Sequence, residues 1–151
     1  MEIRALEAQP PFTTKDGSRI RSLLDLSNAP VRQQSLAEAT IPAGGATQRH
    51  WHRESEEFYF LLEGRGVMEI DGEQREVGPG DAILIPAGAW HQIRAKETLR
   101  FLCCCAPPYR HEDTFFECGL SRIHAVGSGN RGAGVPSAAN SHCSLGSTST
   151  S

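Results

Sequence analysis

The apolar positions of this chain fall in short runs, broken by polar turn signals roughly every eight to twelve residues. Val31 to Ile41 alternates loosely and stops at Pro42-Ala43-Gly44-Gly45. Phe58-Tyr59-Phe60-Leu61-Leu62 is a continuous apolar run that ends at Glu63-Gly64-Arg65-Gly66, where glycine can take the positive φ of a tight turn. Val67-Met68-Glu69-Ile70 leads into Asp71-Gly72, a strong two-residue hairpin signal, and Glu73 to Val77 returns. Gly78-Pro79-Gly80-Asp81 marks the next turn, Ala82-Ile83-Leu84-Ile85 a short buried strand, and Pro86-Ala87-Gly88-Ala89 another turn. His91 to Ala95 and Leu99 to Cys105 follow, separated by Lys96-Glu97. This pattern predicts an all-β chain, folded as an antiparallel sandwich or a barrel.

The ends read differently. Residues 1–30, punctuated by Gly17 and Asn28-Ala29-Pro30, form an N-terminal strand segment, and residues 31–110 the barrel. A short helix is expected around Asp113 to Leu120, capped by Asp113 or Thr114, within an extension over residues 111–126. From Gly127 to Ser151 the chain is mostly Gly, Ser, Ala, Thr and Asn, a composition expected to stay disordered because it has too little apolar surface to bury. Gly127, Gly129 and Gly132 match a G-x-G-x-x-G pattern, but no helical pattern follows, so they read as tail rather than as a dinucleotide loop.

Composition narrows the class. A length of 151 residues suits one domain with one core. A net charge of −3 and a pI near 6.1 give no reason to expect a nucleic-acid or membrane surface. The first residues, Met1-Glu2-Ile3-Arg4-Ala5, start no apolar run of signal length. Cys103, Cys104 and Cys105 are consecutive and the cysteine count is 5, which is not a disulfide framework and points to a reduced, cytoplasmic setting.

Two stretches carry candidate chemistry. His50 and His52 are one residue apart, so a strand projects both to one face with Trp51 on the other. Glu57 opens the next apolar run, and His91 follows the Pro86-Ala87-Gly88-Ala89 turn. Three imidazoles and a carboxylate suit Fe, Mn, Ni, Cu or Zn. Gly44, His50, His52, Glu57 and Gly64, then Gly80, Pro86, Gly88 and His91, resemble the two sequence motifs of the cupin superfamily. Ala95 stands where that family's second motif has Asn. The resemblance covers roughly Leu36 to Ala106. It implies a double-stranded β-helix, or jelly-roll barrel, that holds a divalent metal, foremost Fe, on His50, His52, Glu57 and His91. Four protein ligands would leave two positions of an octahedral ion open for a small substrate or O₂.

Alternation suggests the rest of the pocket. Gln48 shares the face of His50, Tyr59 and Leu61 that of Glu57, and Ile93 that of His91. Arg100 turned outward leaves Phe101, Cys103 and Cys105 inward. Tyr59 and Gln48 are the candidates for acid–base or supporting roles, and Phe101, Cys103, Ile93 and Leu61 for the lining. Charge in that lining is expected to be sparse. His111 reads as part of a solvated loop.

The function expected first is a dioxygenase acting on a small organic molecule that chelates the metal. The alternatives are a non-redox lyase or isomerase, with Tyr59 or a metal-bound hydroxide as base, and a binding module without turnover. Family resemblance also implies a homodimer, with Ile20 to Leu26 as a candidate contact.

Overall fold

A computed structural model describes residues 1–14 and 16–117 of the chain. Its strands are β1 (Phe12–Thr13), β2 (Arg19–Leu24), β3 (Ser35–Ile41), β4 (His50–His52), β5 (Glu56–Glu63), β6 (Gly66–Ile70), β7 (Glu73–Val77), β8 (Ala82–Ile85), β9 (His91–Ala95), β10 (Leu99–Ala106) and β11 (Thr114–Phe116). They form a six-stranded sheet, β1-β2-β3-β10-β5-β8, and a five-stranded sheet, β11-β4-β9-β6-β7. Every pairing is antiparallel.

Local chemistry explains the turns. Asp71 and Gly72 both take positive φ, 49° and 87°, as a two-residue hairpin between β6 and β7 requires. Gly64 sits at φ 79°, and a Cβ there would lie 2.1 Å from the Thr98 carbonyl oxygen. No other residue fits that turn without moving backbone.

The sheets face each other across one core. Along β5, Glu57, Tyr59 and Leu61 point in while Phe58 and Phe60 are exposed. In β10, Phe101 and Cys105 are buried, and Arg100 faces out toward Glu38 (3.3 Å) and Glu63. Ile41, Leu61, Met68, Ile85, Ile93 and Leu99 fill the closed part of the barrel.

The N-terminal segment belongs to this architecture. β2 pairs with β3 from Arg19 to Leu24, so the sheet extends past the expected barrel boundary at residue 31. The expected short helix does not form in the described residues. His111–Asp113 make a single 3-10 turn, and Thr114–Phe116 run as a strand against β4. The reason is tertiary: β4 has a free edge, and β11 completes it with Thr114 opposite His52 and Phe116 opposite His50. Cys118 to Ser151, which include the expected tail and its glycine pattern, lie outside the described residues. Among the described residues no helix is long and apolar enough to cross a membrane.

Candidate metal centre

β4 is only three residues long, and its alternation places His50 and His52 inside and Trp51 outside. Trp51 stacks on Phe115 of β11, with ring centroids 4.7 Å apart. That outer packing supports a strand too short to hold itself. Glu57 is the second residue of β5 and His91 the first of β9. His50 pairs directly with His91 across the sheet. One donor atom from each of His50, His52, Glu57 and His91 lies within 4.8 Å of the others, and all four residues are buried.

The surrounding hydrogen bonds orient the rings. His50 Nδ1 donates to the Gln48 carbonyl at 2.7 Å, and His91 Nδ1 to the Ala89 carbonyl at 3.0 Å. His52 Nδ1 lies 3.2 Å from the Thr114 hydroxyl. These contacts place the proton of His50 and His91 on Nδ1 and turn the Nε2 lone pairs inward. Burial, and then the neighbouring His91, lowers the His50 pKa to about 4, so the ring is neutral at neutral pH.

Glu57 completes the set. Its Oε2 lies 3.3 Å from His52 Nε2 and 3.5 Å from His91 Nε2. Those separations fall short of hydrogen bonds, and all three atoms are buried without a partner. Burial alone would raise the Glu57 carboxyl, but the two histidines facing it more than offset that and hold it below the usual carboxylate range. Its other oxygen, Oε1, accepts from the Cys105 thiol at 3.4 Å. Burial raises the Cys105 thiol, with Glu57 adding to the effect, so it keeps its proton and donates. Inward-facing lone pairs on a buried carboxylate and imidazoles repel one another and cost about 1–3 kcal/mol each while unmatched. A cation placed among them satisfies all of them at once. The donor set therefore fits a divalent metal on physical grounds, without choosing which one.

A cavity of about 100 Å³ opens beside this cluster. Tyr59, Phe101, Cys103 and Cys105 line it, as the alternation predicts. Leu61 and Ile93 do not. They point inward but lie in the closed core, 1% and 0% exposed. Gln48 is exposed, and its amide reaches the Glu117 carbonyl at 3.5 Å. Its contribution to the site is its own main-chain carbonyl, which holds His50. His111 is exposed.

Other residues of the wall come from beyond the motif region. Thr14, Asp16, Ser18, Tyr109, Thr114 and Phe116 all line the cavity. The expected scarcity of charge is thus corrected by Asp16 and Asp25, both in the wall. The sequence marks Ile20 to Leu26 only as a candidate dimer contact and carries no signal that the turn before it lines the cavity.

Comparison with known proteins agrees with this geometry. A family model described as a cupin domain matches residues 37–105. The uncharacterized protein MJ1618 of Methanocaldococcus jannaschii is 50% identical over 106 residues, which is 69% of this chain and 85% of that one. The dimethylsulfoniopropionate lyase DddW of Ruegeria pomeroyi is 37% identical over 84 residues, covering 55% of each protein. The structure of the polyketide cyclase RemF from Streptomyces resistomycificus superposes with a TM-score of 0.62 at 26% identity, over 75% of this chain and 89% of that one. With the two motifs, the double-sheet barrel and the buried three-histidine, one-glutamate cluster in place, the chain belongs to the cupin superfamily.

Proposed function

We propose that this cupin is a metal-dependent lyase of the non-redox type, acting on a small molecule that binds the metal through an oxygen donor. The observation that carries this reading is Tyr59. It lines the cavity two residues along β5 from Glu57, it is 4% exposed, and its hydroxyl has no hydrogen-bond partner among the described residues. Burial raises the phenol well above its ordinary value, and Glu57 adds to this, so the group keeps its proton. A neutral phenol on the wall is a donor to the oxygen on which charge develops as a bond breaks. Its role is therefore to give a hydrogen bond or a proton, rather than to act as the base considered from the sequence.

The metal, when bound, supplies Lewis-acid polarisation of a carbonyl or carboxylate oxygen. The chain does the rest. The Gln48 and Ala89 carbonyls hold His50 and His91 in the tautomer that presents Nε2. The Cys105 thiol occupies one oxygen of Glu57 and leaves the other facing the histidines. Phe101 and Ala39 exclude water from the inner wall. The lyase and the cyclase named above are consistent with this reading, while a quercetin 2,3-dioxygenase of Bacillus subtilis, 34% identical over 53 residues, is also among the matches.

A dioxygenase is the second reading. It is favoured by the same donor set, which would also suit a redox-active iron. The two separate by their need for air. Metal-loaded protein is incubated with a panel of small β-substituted carboxylates under nitrogen and in air, with product and dissolved O₂ both followed. The lyase reading expects equal rates and no O₂ uptake. Turnover that requires O₂ and consumes it in step with product would sink it.

A further inference from the structure

The cavity wall also carries a carboxylate, away from the four donor residues in sequence, that is held by one oxygen only. Asp16 Oδ1 accepts from the Ser18 hydroxyl at 2.7 Å, from the Ser18 N–H at 3.1 Å, and from the Thr14 hydroxyl. Oδ2 has no partner among the described residues. The Asp16 carbonyl accepts the Gln48 N–H at 2.7 Å, which ties this turn to the segment leading into β4. The turn is therefore fixed to the strand that carries two of the metal ligands. Asp25, the other aspartate of the wall, is different. Ser22, Ser27 and Asn28 between them occupy both of its oxygens. Asp25 shapes a turn, whereas Asp16 has an oxygen to offer.

Aromatic rings line the same cavity. Phe12, Tyr109 and Phe116 line it together with Tyr59 and Phe101. Tyr109 stands edge-on to His52 with centroids 6.1 Å apart, and Phe116 lies 5.7 Å from His50, so this aromatic surface begins at the metal cluster. Tyr59, which also lines the cavity, adds a phenol donor to it. Among the described lining residues there is no lysine or arginine.

Rings and a carboxylate on one wall attract a compact, weakly hydrated cation through the ring faces and the charge. A second anion there is disfavoured for the same reason. At the metal cluster, a divalent ion held by three histidines and one carboxylate would keep a net positive charge and attract an oxygen anion. The two parts of the site ask for opposite charges on one small molecule.

We propose that the substrate class of this site is a small zwitterion, with a carboxylate for the metal end and a methylated ammonium or sulfonium group for the wall formed by Asp16, Tyr109 and Phe116. This rests on the reading of the cavity as the substrate site of a metal-dependent enzyme. It adds a specificity-determining residue, Asp16, that does not touch the metal.

Binding tests it without reliance on turnover. Zn(II)-loaded protein is titrated by calorimetry with trimethylammonio-propanoate and with its carbon isostere, in which a quaternary carbon replaces the nitrogen. Shape and carboxylate are the same, so only the cation differs. The cation should bind about tenfold tighter. Asp16→Asn keeps an oxygen acceptor for Ser18 and Thr14, so metal content and thermal midpoint should hold while the preference disappears. Equal binding of the two ligands, tighter binding of the isostere, binding of neither, or a preference that survives Asp16→Asn would overturn the inference. A clear preference with no turnover of any zwitterion would instead leave the inference standing and count against the lyase reading. Turnover of neutral substrates without a cation preference would do the reverse.

Discussion

At the scale of single residues, the centre depends on contacts one step removed from the four donor atoms. The Cys105 thiol on Glu57 Oε1 is the least expected of these, because a buried cysteine is ordinarily a small hydrophobe. Cys105→Ala should weaken metal affinity roughly 10–100-fold in a competition with a chromogenic chelator, while Cys105→Ser, which still donates, should stay close to wild type. Equal affinities in all three proteins would remove the thiol from the design of the site. Tyr59→Phe should leave metal content unchanged and lower turnover on the order of a hundredfold. His50 makes a pH prediction with a definite sign. Its folded pKa, about 4, lies below the ordinary imidazole value of 6.5, so the unfolded chain binds the proton more readily. The stability contribution is complete above pH 6.5 and is lost as pH falls toward 4. Metal-free protein should lose on the order of 3 kcal/mol across that window in urea titrations at stepped pH. In His50→Ala protein this share of the loss should vanish.

At the scale of elements, short strands are held by what flanks them. The turn from β4 to β5 is pinned by Asp113, whose carboxylate accepts the N–H groups of Glu54 and Ser55 at 2.9 and 3.0 Å. Asp113 thus caps the loop between His52 and Glu57, where the sequence suggested a helix cap. The expected helix is absent there, and the N–H groups that Asp113 serves lie far away in the chain. Asp113→Ala should speed amide hydrogen exchange at Glu54 and Ser55 and lower metal affinity, with the β6–β7 hairpin unaffected. Gly64 tests a different support. With φ at 79° and the Thr98 oxygen 2.1 Å from any Cβ, Gly64→Ala forces backbone to move at the β5 end. A cost of about 2–4 kcal/mol is expected in denaturant unfolding. A loss under 1 kcal/mol would mean that this turn relaxes readily.

At the scale of the whole molecule, the depth of the barrel separates what could be read from what could not. Alternation assigns a side chain to the inner face, and it did so for Glu57, Tyr59, Leu61, Ile93 and Phe101. It does not tell which of them reach the cavity. Leu61 pairs directly with Phe101, yet the larger Phe101 lines the cavity while Leu61 stays in the core. The Asp16 turn reaches the wall because β2 joins β3 at the sheet edge, a pairing no local period announces. β11 likewise forms because β4 had an edge to cover. What the sequence determined by itself was whatever depends on near neighbours: the strand pattern, the Asp71-Gly72 hairpin, the glycine at residue 64, and four metal-ligand candidates at recognisable spacings. Those features rest on backbone geometry over a few residues. The tertiary structure alone decided which inward side chains meet the cavity, which carbonyls and thiol orient the ligands, and that Asp16 stands in the cavity wall. Each of these depends on segments distant in the chain packing together, where the gain comes from closing the barrel rather than from any local preference.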